Sequence, residues 1–222
     1  MPNDIIVVES EIVEKPSYSI VPGRKKKDNY YKTSDVVYLT KTEVRKLIDG
    51  AENAFNKMLF LLLYETGGRV SEVIALRFMD VDYETRRVKL ITLKQKTEKQ
   101  VFRHLLITKN LLSLIKERRS VLNLSEEDFI LTRKHTRRPI TRHGVGFLLK
   151  KEIRRLLGEN YIYKAHPHAL RHTRAIHLLD SGMNIMLLKN FLGHANIANT
   201  LIYLRYSNKD MAEAIERANI DF

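Results

Sequence analysis

A mainly α-helical domain carrying one small antiparallel β-sheet is the fold this sequence predicts, and three observations predict it. Apolar residues recur with helical spacing through most of residues 35–222. Capping and glycine signals cut that pattern into segments of ordinary helix length. A single pair of β-rich runs interrupts it, at 87–93 and 100–107. With 44% apolar residues in 222, the chain can bury one core of ordinary size.

The elements follow in order. Residues 1–34 read as an arm or linker: Asp4, Glu9, Glu11 and Glu14 alternate with apolar residues, Pro16, Pro22 and Gly23 interrupt, and Arg24-Lys25-Lys26-Lys27 forms a basic run. The composition of this arm suits a solvated, disordered tail, and its basic run suits a strap along a DNA backbone. Thr40-Lys41-Thr42-Glu43 fits a capping box and starts the first helix of the domain over 35–222. A second helix over 55–65 stops at Gly67-Gly68, where left-handed backbone geometry is expected. A third, over 71–77, would turn Val73, Ile74 and Leu76 inward and set Glu72 one turn from Arg69. The two β-runs flank the polar tip Lys94-Gln95-Lys96-Thr97-Glu98-Lys99 and form a hairpin. Helical patterns return at 110–119, 142–157, 168–180, 185–191, 196–203 and, as a short amphipathic tail, 208–218.

Charge narrows the partner. Lys and Arg number 39 against 26 Asp and Glu, a formal charge of +13, and so basic a chain gathers polyanions by releasing their counterions. Cysteine is absent, which excludes disulfides and thiolate metal sites and points to an intracellular protein. The apolar run Met58-Leu59-Phe60-Leu61-Leu62-Leu63-Tyr64 falls far short of the roughly 20 residues that span a bilayer. The start Met1-Pro2-Asn3-Asp4 lacks a positively charged leader. Neither a membrane nor a metal is expected.

Chemistry enters with five residues. Pro167 suits the first turn of a helix, and His168 and Arg171, three residues apart, would share a face where free amides and the macrodipole attract phosphate. His172 and His177 would point elsewhere. His194 follows Leu192-Gly193, and Tyr203 stands nine residues on. Far upstream, Arg69 in Gly67-Gly68-Arg69-Val70-Ser71-Glu72 supplies a second guanidinium. Guanidinium groups stay charged and offer forked donors that match phosphate oxygens, which suits a transition state gaining negative charge. A phenol of pKa roughly 10 needs such cations before its oxygen becomes a useful nucleophile.

These boxes, Gly-x-Arg-x-Ser-Glu, His-x-x-Arg, Leu-Gly-His and the spaced tyrosine, resemble those of the tyrosine recombinase (phage integrase) family. Gly68 holds a place that is more often apolar. The resemblance covers roughly residues 36–218 and implies the tyrosine recombinase catalytic-domain fold. The family's usual N-terminal core-binding domain has no counterpart in the 222 residues. By resemblance, Tyr203 is the nucleophile, Arg69 and Arg171 clamp the phosphate, and His168 assists proton movement. His194 would donate to the phosphate, and Glu72 would orient the neighbouring arginine and histidine. A hairpin lysine would protonate the leaving 5′-oxygen: Lys96, in the pair Lys96-Thr97, fits first, Lys94 stands on the same strand face, and Lys99 is more distant. Tyr206 is the rival nucleophile, disfavoured by its spacing from His194.

The function implied is site-specific breaking and rejoining of double-stranded DNA through a 3′-phosphotyrosyl intermediate, with no cofactor. Its partners would be DNA and further copies of the chain, in a tetrameric synapse that exchanges the 208–218 helix. Type IB topoisomerase-like relaxation and a non-catalytic DNA-binding protein are the alternatives.

Overall fold

The computed structural model describes residues 36–92, 101–133 and 136–206. The helices are α1 (Lys41–Asp49), α2 (Ala54–Thr66), α3 (Val70–Ile74), α4 (Lys109–Val121), α5 (Arg142–Leu157), α6 (Pro167–Asp180), α7 (Ile185–Leu192) and α8 (Ala198–Leu201). Between α3 and α4 lie β1 (Val81–Asp82), β2 (Arg87–Ile91) and β3 (Phe102–Leu106), joined as one antiparallel sheet in the order β1-β2-β3.

The core forms around α2. Met58 to Leu63 are all buried, so this helix is apolar on every side, as a helix packed on several neighbours must be. It meets α1, α4 and α6. Its start is capped by Asn53 and its end by Gly67, whose φ of 52° is the left-handed turn expected there. The Thr40 capping box also forms as expected, with Thr40 Oγ1 accepting from Glu43 N and Glu43 Oε2 accepting from Thr40 N.

Some boundaries differ from expectation. The third helix ends at Ile74 rather than 77, because Arg77 N donates to Asp80 Oδ2 and starts a separate 3₁₀ turn, Phe78–Asp80. β1 is only a two-residue strand, too short for any period-2 pattern to reveal. The helix expected over 196–203 is instead α8 followed by a 3₁₀ turn, Ile202–Arg205. A further 3₁₀ segment, Glu159–Lys164, packs on α5. The basic run 24–27, the hairpin tip with Lys94, Lys96 and Lys99, and the tail 208–218 lie outside the described residues.

On the sheet, Val88 and Leu90 of β2 face the core, and their partners across the ladder are Leu105 and Arg103 of β3. Arg103 therefore occupies a core-facing position, 1% exposed. The chain enters the domain beside α6: Thr173 Oγ1, fully buried, accepts from Leu39 N at 2.9 Å and donates to Ala169 O at 2.6 Å. Replacing Thr173 with valine keeps the shape and leaves the Leu39 amide buried without an acceptor. The expected loss is about 1–3 kcal/mol in urea unfolding, and a smaller loss would mean that the entry strand is not fastened there.

Candidate active site

Arg171 is the centre of the site. It projects from the second turn of α6 and is 4% exposed. Its Nη1 donates to Gly67 O at 2.7 Å, just past the end of α2, and its Nη2 donates to Leu192 O at 2.7 Å, the last residue of α7. Both acceptors belong to helix C-termini, where carbonyls lack intrahelical partners and the macrodipole is negative. Burial, and then the charges of Arg69 and Arg103, lower its pKa to about 10, which leaves it protonated at neutral pH.

Glu72 anchors the other two guanidinium groups. Its Oε1 accepts from Arg69 Nη1 at 2.8 Å, and its Oε2 accepts from Arg69 N at 3.0 Å and from Arg103 Nη2 at 2.5 Å. Desolvation opposes its charge, yet the Arg103 charge and the bonds from Arg69 outweigh that and hold the carboxyl below its ordinary range. The expected link from Glu72 to Arg69 is present. Its second partner is Arg103 rather than a histidine.

Arg103 is the residue that the motifs did not single out. Besides Glu72 it reaches Thr92 Oγ1 through Nε at 3.2 Å and Phe191 O through Nη1 at 2.7 Å. The last two carbonyls of α7 thus go to different arginines, Phe191 to Arg103 and Leu192 to Arg171. Gly193 closes that helix with φ 65°, and a Cβ there would stand 2.8 Å from Arg103 Nε. The glycine of the Leu-Gly-His box is needed for the close approach as well as for the turn. Strand parity is the signal that could have exposed Arg103: a strand that turns Leu105 inward turns residue 103 inward too.

His194 follows directly. Its Nε2 lies 2.9 Å from Arg171 Nη2 and its Nδ1 2.9 Å from Thr200 Oγ1. A guanidinium has no acceptor, so Nε2 accepts; the ring proton is therefore on Nδ1 and donates to Thr200. Burial, and then the arginine charges, bring its pKa down to about 3 and keep it neutral. In this arrangement His194 accepts from the clamp, whereas the expected role was donation to a phosphate.

His168 and Arg171 do not share a setting. His168 is exposed in the first turn of α6, with its ring centroid 6.3 Å from that of His172. The amides of that turn are also less open to phosphate than expected, since His166 caps the helix and its Nδ1 accepts from Ala169 N at 3.1 Å. His172, expected to point elsewhere, instead reaches Tyr203: its Nδ1 lies 2.8 Å from Tyr203 Oη, and the rings are 5.6 Å apart. Four residues apart, the two histidines share a helix face, and the rise of about one turn between them sets one ring in solvent and the other against the 202–205 turn. His177 points into the core, 3.0 Å from Tyr64 Oη.

Tyr203 is 1% exposed, and burial raises its phenol above the ordinary value while the charges of Arg171 and Arg69 pull the other way. Its oxygen thus already lies in the field of two guanidiniums. Tyr206 is engaged elsewhere, since its Oη accepts from Val36 N at 2.9 Å and its ring meets Tyr38 edge-on at 6.2 Å. The rival tyrosine holds the chain entry.

The chain is similar to known proteins. Residues 37–210 match the phage integrase family model. Tyrosine recombinase XerA of Pyrococcus horikoshii is 34% identical over 183 residues, 82% of this chain and 61% of that protein. Tyrosine recombinase XerC of Staphylococcus epidermidis is 30% identical over 171 residues, 77% of this chain and 56% of that one. The chain therefore spans about three fifths of the length of these relatives. Among solved structures, XerA recombinase superposes with a TM-score of 0.69 at 21% identity, over 88% of this chain and 68% of that one. XerH bound to a palindromic difH substrate after cleavage superposes with 0.68 at 24% identity, over 81% and 52%.

The Arg103–Glu72 bridge should be as important to stability as to charge. Arg103→Leu leaves part of Glu72 buried without its partner and is expected to cost about 3 kcal/mol or more in chemical unfolding at pH 7. Because the folded carboxyl titrates below its unfolded value, the stabilisation is present above the ordinary carboxylate range and lost as pH falls through the folded pKa. Glu72→Gln should therefore destabilise at pH 7, with the gap from the parent closing below about pH 4. A gap that widens with acid would contradict the depressed pKa.

The chain belongs to the phage integrase family, and its described residues have the fold of a tyrosine recombinase catalytic domain.

Proposed function

We propose that this chain is a site-specific DNA strand transferase, in which Tyr203 attacks a scissile phosphodiester and carries the strand as a 3′-phosphotyrosyl ester. One observation carries the reading. Among the described residues, Arg69, Arg103 and Arg171 interact electrostatically around one carboxylate, Glu72, which leaves two positive charges in excess beside a phenol. Such a site is completed by an anion whose charge grows during reaction, as that of a pentacoordinate phosphorus does. The names of its relatives, tyrosine recombinases XerA and XerC, support strand exchange over relaxation or passive binding.

The residues divide the work by position. Arg69 is partly exposed and offers a first contact, while the buried Arg171 holds its donors in place before any phosphate arrives. Because Tyr203 is buried, a phosphodiester meets its oxygen only once the side chains packed on it move. A phosphate oxygen at Arg171 Nη2 would replace His194 as acceptor, and a shift of the ring proton to Nε2 would make His194 a donor to the same oxygen. Lys96, with Lys94 as its rival, would protonate the leaving 5′-oxygen. Lys99 and the run Arg24-Lys25-Lys26-Lys27 would contact backbone phosphates. Attack by the 5′-hydroxyl of a second duplex reverses the step and conserves the bond energy, so no cofactor is called for. Exchange between paired sites requires several active sites, which supports a tetramer on DNA joined by the 208–218 segment.

The direct test is covalent capture. The full chain is incubated with a random-sequence duplex library, adducts are isolated under denaturing conditions, and the recovered sites are remade as nicked suicide substrates. Adduct is expected from the parent and from Tyr206→Phe, none from Tyr203→Phe, and about 10²- to 10³-fold less from Arg171→Ala. No adduct from the parent, or adduct retained in Tyr203→Phe, would overturn the reading.

The hairpin lysines separate by leaving group. A 5′-bridging phosphorothiolate needs no proton on departure, so it should restore cleavage to Lys96→Ala. Restoration of Lys94→Ala alone would move the role two residues back.

A further inference from the structure

We propose that His172 is a catalytic residue of the cleavage step, its Nδ1 taking the proton of the Tyr203 hydroxyl as the tyrosyl oxygen bonds to phosphorus. This rests on the strand-transfer reading above and assigns a role that the family resemblance gave to no residue at this position.

The geometry is specific. The 2.8 Å separation of Nδ1 and Oη is a hydrogen-bond length, and it lies at the reacting atom itself. Burial brings the imidazole down to about 4, with the charges of His168, His166 and Arg171 adding to that, and burial raises the phenol. Both groups are therefore neutral at pH 7, and in the tautomer that carries the ring proton on Nε2 the phenol donates to Nδ1. The adjacent position in the chain fixes the rest: Arg171 and His172 are consecutive on α6, so one rigid helix presents a cation for the phosphate and an acceptor for the nucleophile's proton. His168, the proton carrier expected by resemblance, is exposed, with its ring centroid 6.3 Å from that of His172.

In the forward step the Oη–H bond breaks and an Nδ1–H bond forms, giving an imidazolium. The Oη–P bond forms as the P–O5′ bond breaks, and the leaving oxygen takes its proton from the general acid. In the reverse step, the imidazolium returns its proton to the departing phenolate. A free imidazole of low pKa is a weak base, so little proton transfer precedes attack. The transfer is instead driven by charge: negative charge arriving at the phosphorus stabilises the imidazolium, and it does so most in the transition state.

The test varies the acidity of the nucleophile. Single-turnover cleavage of the captured suicide substrate is measured for His172→Ala and His172→Asn in the full chain. Each is made with tyrosine at position 203 and with a trifluorotyrosine whose phenol is several pK units more acidic. With tyrosine, His172→Ala should lose about 100-fold, within the range for a positioned proton acceptor, while DNA affinity stays within about twofold. His172→Asn, whose Oδ1 can accept the hydrogen bond but is too weak a base to take the proton, should lose nearly as much. With the acidic phenol, the cost of His172→Ala should shrink to about fivefold or less, because such a nucleophile needs less help in losing its proton. A merely structural role would give the same loss with both phenols. Equal losses, or no loss with tyrosine, would overturn the proposal; if His172→Ala fails to fold, the same comparison is made on His172→Asn. Parent protein that forms no adduct would instead sink the strand-transfer reading, so the two failures are distinguishable.

Discussion

Three guanidinium groups meet one carboxylate where the ends of α2 and α7 approach the sheet, and the arrangement has to be held together against its own repulsion. Like charges repel, and burial strengthens the repulsion by lowering the effective dielectric. The fold meets this with dipoles: Gly67 O and Leu192 O take Arg171, Phe191 O takes Arg103, and Glu72 joins Arg103 to Arg69. Neutral carbonyls offset the desolvation of a cation without cancelling its charge. The excess that remains can act on a substrate.

This constraint explains features that would otherwise look unrelated. α2 ends in a left-handed glycine, which leaves Gly67 O pointing to Arg171; α7 ends in another, which leaves room for Arg103 beneath it. β3 carries an arginine on its inward face because the carboxylate it must reach is on α3, beside the sheet. The apolar interior of α2, in turn, fixes the helix end on which the first carbonyl depends.

Much of this was legible in the chain and some was not, for physical reasons. Capping boxes and helix-ending glycines are local, so the start of α1 and the ends of α2 and α7 follow from a few adjacent residues. Arg69, Glu72, Arg171, His194 and Tyr203 are brought into one neighbourhood, as their motifs implied. The motif ranked His168 above His172, and it could not show that the His172 ring meets Tyr203, because that depends on how the 202–205 turn lies against α6. Arg103 stayed hidden for a related reason: a basic residue in a basic chain reads as surface until the parity of its strand is fixed by Leu105.

The bond from Val36 N to Tyr206 Oη gives Tyr203 a mechanical neighbour. Tyr206 N donates in turn to Tyr203 O at 3.1 Å, so Val36 and the backbone of Tyr203 are joined through the Tyr206 residue. A displacement of Val36 therefore acts on the 202–205 turn through the Tyr206 side chain.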